Sequence, residues 1–304
     1  TGKPGSAHLC FPYDVMKQQV DAADVWAQPE HARFPSLRFA PDPADVARAA
    51  QRLVGARSPV IICGGGVVIA GASGALQELA ESLKAAVCVT VSGQGSLADT
   101  HPLNAGVVGS NGGVMATRDV VAAADVVLFV GCRAGSTSTE HWRFPNRDVP
   151  ILHIDIDPMV IGANYLTEVG LVGDAKLALE ALGAEVQARL AHRPSDAVDG
   201  AVLAGRAKAA RRAQLEPLAA SLDAPIRPER VVQSLNRLLP DDAVVCADPG
   251  TPCPYFSAYY DVSRPGRHFI TNRAHGALGF SMSAALGAWV GRPQAKCVSV
   301  MGDG

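Results

Sequence analysis

The chain closes on Gly302-Asp303-Gly304, directly after the apolar run 296–301. An aspartate at the carboxyl end of a strand, between glycines that let the backbone come close, suits a hard cation carried in by a phosphate ligand. Mg2+ keeps near-octahedral geometry and takes only one or two protein carboxylates in such sites, so a single Asp is a meaningful share. The same tripeptide also serves as a plain turn. Upstream, clusters of small and polar residues follow other apolar runs. They are Gly64-Gly65-Gly66, Thr90 with residues 91–92, the stretch 106–113 holding Gly106 and Gly109, the stretch 131–136 with Arg133, and Asp155 with Gly173-Asp174. Glycines at strand-to-helix turns let N–H groups reach a pyrophosphate, and the helix that follows favours the anion. No G-x-G-x-x-G fingerprint accompanies them, and the pattern leaves both phosphate cradles and ordinary structural turns open.

Such residues act together only if a scaffold brings strand ends to one edge, and the rest of the chain spells one. Asp42 is a good N-cap, with Pro43 at the first position of a helix reaching residue 54. The pattern then predicts strands over 60–63, 87–91, 126–130, 151–156 and 169–172. Helices are expected over 74–83 and 114–124, with a Gly-rich loop over 92–113, a short helical piece after 156, and a helix from Gly173-Asp174 to residue 190. Leu76, Leu79 and Leu83 share one face at helical spacing. Short apolar strands alternating with amphipathic helices mean an α/β fold whose parallel sheet is covered on both faces. Right-handed crossovers make it Rossmann-like and doubly wound.

From Pro228 the alternation resumes. A helix to 239 leads to a strand over 244–247, the loop Asp248-Pro249-Gly250-Thr251, a helix near Phe256 and a strand over 268–271; a helix over 278–290 and the terminal strand complete the run. This reads as the first half of a second, truncated α/β domain. Residues 16–41, with Pro29, Pro35 and Pro41, read as a linker, as do residues 191–226. In the second linker Arg206, Lys208, Arg211 and Arg212, on an Ala-rich helical piece, read as a solvated face. The expected division is 1–15, linker 16–41, central domain 42–190, linker 191–226 and second domain 227–304.

The 304 residues allow two domains, and 48% hydrophobic against 18% charged residues argues against disorder. A formal net charge of −2 recommends neither nucleic acid nor an anionic membrane as partner. With no apolar run of spanning length and no signal peptide, a cytoplasmic protein is expected. Cys10, Cys63, Cys88, Cys132, Cys246, Cys253 and Cys297 form no C-x-x-C pair and no Cys/His ligand spacing. They read as small hydrophobes in a reducing cytosol, and Cys253, in a strand-end loop, as packing rather than catalysis.

Two stretches carry a resemblance. Gly276-Ala277-Leu278-Gly279, the small-residue helix around Ala284 to Ala288, a strand and then Gly-Asp-Gly form one. The runs SGQGSLADTHPLNAGVVGSNGG, VGCRAGS, HIDIDP and VGD form the other. In this order the chain resembles the thiamine-diphosphate enzymes, in their acetolactate-synthase-like branch. The resemblance implies a thiamine-diphosphate-binding fold for the second domain and places residues 1–15, with a short apolar strand, at the end of a preceding pyrimidine-binding domain, as its closing strand. It implies Mg2+ held by Asp303, with Gly302 and Gly304 beside the diphosphate and Gly250 and Thr251 contacting it. The Gly276 backbone would receive the cofactor's aminopyrimidine, with Ala277 adjacent, and Leu278 would be the apolar wedge that keeps the cofactor folded. It names no catalytic side chain here, because the activating glutamate belongs to the preceding domain. The chain by itself is therefore expected to be inactive.

For the central domain the resemblance implies FAD or ADP, with relatives that hold CoA or nothing. The positions carried over are Gly65, Gly66, Thr90, Gly106, Gly109, Arg133, Asp155 and Asp174, with Arg133 on the pyrophosphate and Asp155 on ribose hydroxyls. Two departures stand out: Ala134-Gly135-Ser136 replaces the synthases' Phe-Asp-Asp, and Met282-Ser283 replaces Leu-Pro. The implied reaction is decarboxylation of a 2-oxo acid, followed by protonation or ligation to a second carbonyl compound, in a homodimer or homotetramer. The competing classes are a non-catalytic nucleotide- or CoA-binding α/β module and an NAD-dependent deacetylase-like or transhydrogenase-like domain. The missing dinucleotide fingerprint counts against the latter.

Overall fold

A computed structural model describes residues 2–32, 34–273 and 275–303. Asp42 opens its first α-helix as an N-cap should: the carboxylate accepts the Ala44 N–H at 2.7 Å, and Pro43 follows. Helix α1 (Pro43–Val54) turns Val46, Ala49, Ala50, Leu53 and Val54 inward. The chain continues through β1 (Pro59–Cys63), α2 (Gly65–Ala70), α3 (Ser73–Leu83), β2 (Ala86–Val89), β3 (Asn104–Val107) and α4 (Met115–Ala122). After β4 (Val126–Val130), β5 (Ile151–Asp155) and β6 (Thr167–Val172) come α5 (Ala175–Arg189) and α6 (Gly200–Ala219).

The six strands pair in the order β3-β2-β1-β4-β5-β6, all parallel. The central strands β1, β2 and β4 are apolar and buried on both sides, as strands covered on both faces are. Ile61 and Cys63 join Leu53, Leu76, Leu79, Leu83, Leu179 and Leu182 on one face. Val60 and Ile62 join Val120, Val121, Ala204 and Ala207 on the other. Each fully buried leucine contributes about 1.5–3 kcal/mol over leaving it in water. The order reverses between β1 and β4, and in an open parallel sheet that reversal makes the ligand crevice.

The second unit comprises α7 (Pro228–Leu238), β7 (Val244–Ala247), α8 (Pro252–Tyr259), β8 (Phe269–Ile270), α9 (Phe280–Gly291) and β9 (Cys297–Val300). Its three parallel strands lie in the order β8-β7-β9. The chain leaves β7 to one side for β8 and crosses to the other side for β9. A second order reversal therefore falls at β7. Its core is continuous with the first: Val245, Ala247, Phe256 and Tyr260 belong to the same buried cluster as Leu53 and Ile61.

The structure corrects several expectations. No strand forms over residues 2–14 among the described residues; Leu9, Phe11 and Tyr13 stand exposed without a pairing edge. The Gly-rich stretch 92–113 contains β3, whose Asn104 and Gly106 hid a strand pattern, and the glycines after β1 open α2 at once. Residues 200–219 are not linker but α6, a layer of the central unit. The Gly200 N–H donates to the Lys84 carbonyl at 2.8 Å, and a Cβ at Gly200 would stand 2.3 Å from the Ala86 nitrogen. Its basic face is not simply solvated: Lys208 Nζ donates to the His101 carbonyl at 2.6 Å, and Arg211 pairs with Asp261 of the second unit. Helix α9 starts two residues later than predicted, because Gly279 takes φ +78° and cannot be its first turn.

Candidate cofactor sites

The carboxyl ends of β1, β2, β4 and β5 open on a cleft of about 770 Å3. Its floor is a close approach of two turns. The Gly66 N–H donates to the Gly131 carbonyl at 3.1 Å, and a Cβ on Gly131 would sit 2.6 Å from the Gly66 Cα. Gly131 also has φ +55°, which favours glycine. Side chains here would strike the opposite turn, so the glycines let the two turns pack backbone to backbone at the strand-order reversal, where open parallel sheets bind ligands.

Gly65, Gly66, Thr90, Arg133, Asp155 and Asp174 all line this cleft, together with Gly64, Ser92 and Arg273. Asp155 ends β5, and its carboxylate accepts the Asp157 N–H at 2.9 Å. Burial raises its pKa above the ordinary carboxylate value, against the opposing effect of that N–H. Behind it His153 Nε2 bonds the Cys132 carbonyl at 2.8 Å, and burial lowers the imidazole pKa, so the ring is a neutral donor that fixes the turn after β4. Asp174 has work within the chain: it accepts the Lys176 and Leu177 N–H groups as the α5 N-cap and pairs with Arg38 at 2.7 Å. Gly106 and Gly109 do not line the cleft. Gly106 has φ +103° within β3, and a Cβ on Gly109 would stand 2.2 Å from the Thr137 carbonyl oxygen, so backbone conformation accounts for the first and backbone packing for the second.

In the second unit, three strand-end loops meet around β7. The Asp248 N–H donates to the Val300 carbonyl at 2.9 Å, bringing the 248–251 loop beside Gly302-Asp303. On the other flank, the Asp248 carboxylate accepts the Gly279 N–H at 2.7 Å and the Ser281 N–H at 2.8 Å. Burial works to raise this carboxyl's pKa, but the bonds from Ser281 and Gly279 outweigh it and hold the group below its ordinary value. The arrangement sets the β8–α9 loop against the 248–251 loop, so that a Cβ on Gly250 would lie 3.2 Å from Leu278 Cδ2. Leu278 is 67% exposed, an apolar side chain projecting over the loops rather than into the core. Gly276 takes φ +81°, and a Cβ on Gly302 would meet nothing within 4 Å.

Asp303 is exposed and forms no ion pair among the described residues; Gly304 lies outside them. No group of three or more His, Cys, Asp or Glu side chains able to hold a metal occurs among the described residues. One free carboxylate, a threonine hydroxyl and open backbone fit a cation shared with a diphosphate, and do not fit an all-protein metal cage. Cys253 is buried, receiving the Asn111 side-chain amide at 3.4 Å, as its packing role requires.

Sequence reasoning missed Asp248, Arg38 and Arg273. Asp248 caps a helix thirty-one residues on, a pairing no local pattern carries. Arg38 acts across the sheet edge from a segment read as linker. Arg273 had a signal: a lone guanidinium in an otherwise small-residue strand-end loop.

Two family models match the chain: "Thiamine pyrophosphate enzyme, central domain" over residues 46–182, and "Thiamine pyrophosphate enzyme, C-terminal TPP binding domain" over residues 248–304. Among curated proteins, a probable acetolactate synthase large subunit of Methanocaldococcus jannaschii is 32% identical, covering 100% of this chain and 51% of the relative. A probable 2-ketoarginine decarboxylase of Pseudomonas aeruginosa is 34% identical over 99% of this chain and 50% of its own length. A sulfoacetaldehyde acetyltransferase of Roseovarius nubinhibens is 30% identical over 84% and 45%. The chain spans about half the length of the curated relatives it matches. With one model matched across the six-stranded unit, the other matched across the strand-end loops after β7, and relatives aligned over the whole chain, the chain belongs to the thiamine pyrophosphate enzymes, among relatives of the acetolactate-synthase type.

Proposed function

We propose that this chain forms part of a thiamine-diphosphate- and Mg2+-dependent enzyme that decarboxylates a 2-oxo acid and protonates the product or joins it to a second carbonyl compound. The observation that carries the reading is the meeting of the 248–251, 271–279 and 301–303 loops at β7. When bound, thiamine diphosphate supplies a nucleophilic carbon and an electron sink. The chain's own residues hold and shape it. Asp303 takes the cation, Gly250, Thr251 and Gly302 receive the diphosphate, the Gly276 carbonyl and its neighbour Ala277 meet the aminopyrimidine, and Leu278 is the wedge. Asp248 positions Leu278 by fixing the Gly279 and Ser281 amides. The cytoplasm and a homodimer or homotetramer with sites between subunits complete the reading; no helix among the described residues is long and apolar enough to cross a membrane.

The central cleft, on the same reading, takes FAD or ADP, with phosphates at the Gly64–Gly66 and Gly131 turns, Arg133 beside them and Asp155 toward the ribose. Its volume and the lining by Gly65, Gly66, Thr90, Arg133, Asp155 and Asp174 support this. They also support the second reading, a nucleotide- or CoA-binding module without catalysis. CO2 release from a panel of 2-oxo acids, assayed on the gene product that carries this chain, separates the two. Release that requires both thiamine diphosphate and Mg2+ is expected. ADP or CoA binding with no release from any acid would leave the module.

A further inference from the structure

The β8–α9 loop holds three consecutive residues with buried polar atoms that find no partner among the described residues: Thr271 Oγ1, Asn272 Oδ1 and Arg273 Nε. Buried polar groups are nearly always satisfied, so this run is a place where the loop's own packing leaves hydrogen bonds unmade; of the three residues only Arg273 reaches the central cleft. Arg273 stands out in a second way. It belongs to the second unit, yet it lines the central cleft alongside Gly65, Thr90 and Arg133. The charges around it are unevenly used. Lys3 on the cleft wall pairs with Asp157, and Asp174 pairs with Arg38. Neither Arg273 nor Arg133 has a carboxylate within ion-pair reach among the described residues, so two arginines from two units line one cleft without a salt bridge, with the Asp155 carboxylate the one acid of the lining that is also unpaired. Three residues beyond Arg273, Gly276 at φ +81° begins the turn that presents Leu278 and is held by Asp248. One short loop therefore reaches both sites.

We infer that Arg273 binds the phosphate groups of a nucleotide in the central cleft, and that by ordering the 271–279 loop it couples that nucleotide to thiamine diphosphate. The inference rests on the reading that the cleft takes an adenine nucleotide. A guanidinium fork matches phosphate oxygens in paired hydrogen bonds, which a flexible ammonium does not reproduce. A loop pinned at one end by the nucleotide has less freedom left to lose when thiamine diphosphate settles at the other end. The two ligands then strengthen each other, by the same factor in both directions.

Calorimetric titration of the gene product with ADP, and with thiamine diphosphate plus Mg2+ in the presence and absence of saturating ADP, tests this. In the wild type, ADP is expected to tighten thiamine diphosphate binding about tenfold, within the usual range of such coupling. Arg273→Gln is expected to weaken ADP about tenfold and abolish the enhancement, while thiamine diphosphate affinity without ADP stays as it was. Arg273→Lys keeps the charge and stem without the fork and is expected to fall between the two; full ADP affinity in it removes the fork from the account. Unchanged ADP affinity in Arg273→Gln, or weakened ADP with the enhancement intact, overturns the inference and leaves the nucleotide reading standing. ADP that fails to bind the wild type overturns both.

Discussion

Two aspartates with opposite duties show what single residues decide. Asp303 is exposed and uncommitted, whereas Asp248 is buried and gives both oxygens to backbone amides at the start of α9. Replacing Asp248 with Ala strands those N–H groups and is expected to cost about 1–3 kcal/mol, read as a lower unfolding midpoint and faster amide exchange over 279–281. Because its native pKa is depressed, the Asp248 contribution is fully present above the unfolded value near about 3.9. It is lost as pH falls through the lower native value. Loop protection should therefore survive at pH 5 and fade under stronger acid; loss already at neutral pH would contradict the assignment. The motif residues were legible because their signal is local, glycines and an Asp after an apolar run. Asp248 was read only as loop because its partners are distant in sequence.

Among the elements, the turns after β1 and β4 fit because neither carries a side chain where they touch. Gly131→Ala adds a Cβ 2.6 Å from the Gly66 Cα at a residue with positive φ, and is expected to destabilise by about 1–3 kcal/mol. Nucleotide affinity should fall with it, measured by ADP titration at a temperature where the variant remains folded. An unaltered midpoint would show that the turns separate freely. Strands β1, β4, β5 and β7 were readable as apolar runs bounded by glycine or charge, and all four lie where both sheet faces are covered. Strand β3 was missed because Asn104 and Gly106 break its apolar pattern; the Asn104 side chain instead bonds the Leu97 and Ala98 carbonyls and receives the Gly106 N–H. Helix α6 reads as linker because most of its buried residues, Gly200, Ala204 and Ala207, are small and carry little hydrophobic periodicity, yet they allow close approach to the sheet.

Across the whole molecule, the two units share a core and a polar seam. The Gly266 N–H donates to the Gly95 carbonyl at 2.8 Å, and Asp99 receives the Val262 N–H at 2.7 Å while its own N–H bonds the Val262 carbonyl. Burial pushes the Asp99 carboxyl up to about 6, despite Arg211 and the Val262 amide. A raised acid binds its proton more tightly when folded. Its contribution is therefore greatest below the unfolded value near about 3.9, declines as pH rises to about 6, and is flat beyond. Asp99→Asn is expected to remove that decline from the urea midpoint between those limits; identical pH profiles for the variant and wild type would contradict it. This seam lay outside what the sequence could reveal, since it joins loops from two units, whereas the order of the units followed from the resemblance. On the proposed function, the strand ends around β7 hold thiamine diphosphate through a metal on Asp303. Titrating thiamine diphosphate into the gene product with and without Mg2+, for the wild type and Asp303→Ala, tests it most directly. Saturable, Mg2+-dependent binding is expected in the wild type and its loss in the variant. Wild-type affinity in Asp303→Ala, or binding indifferent to Mg2+, would contradict it.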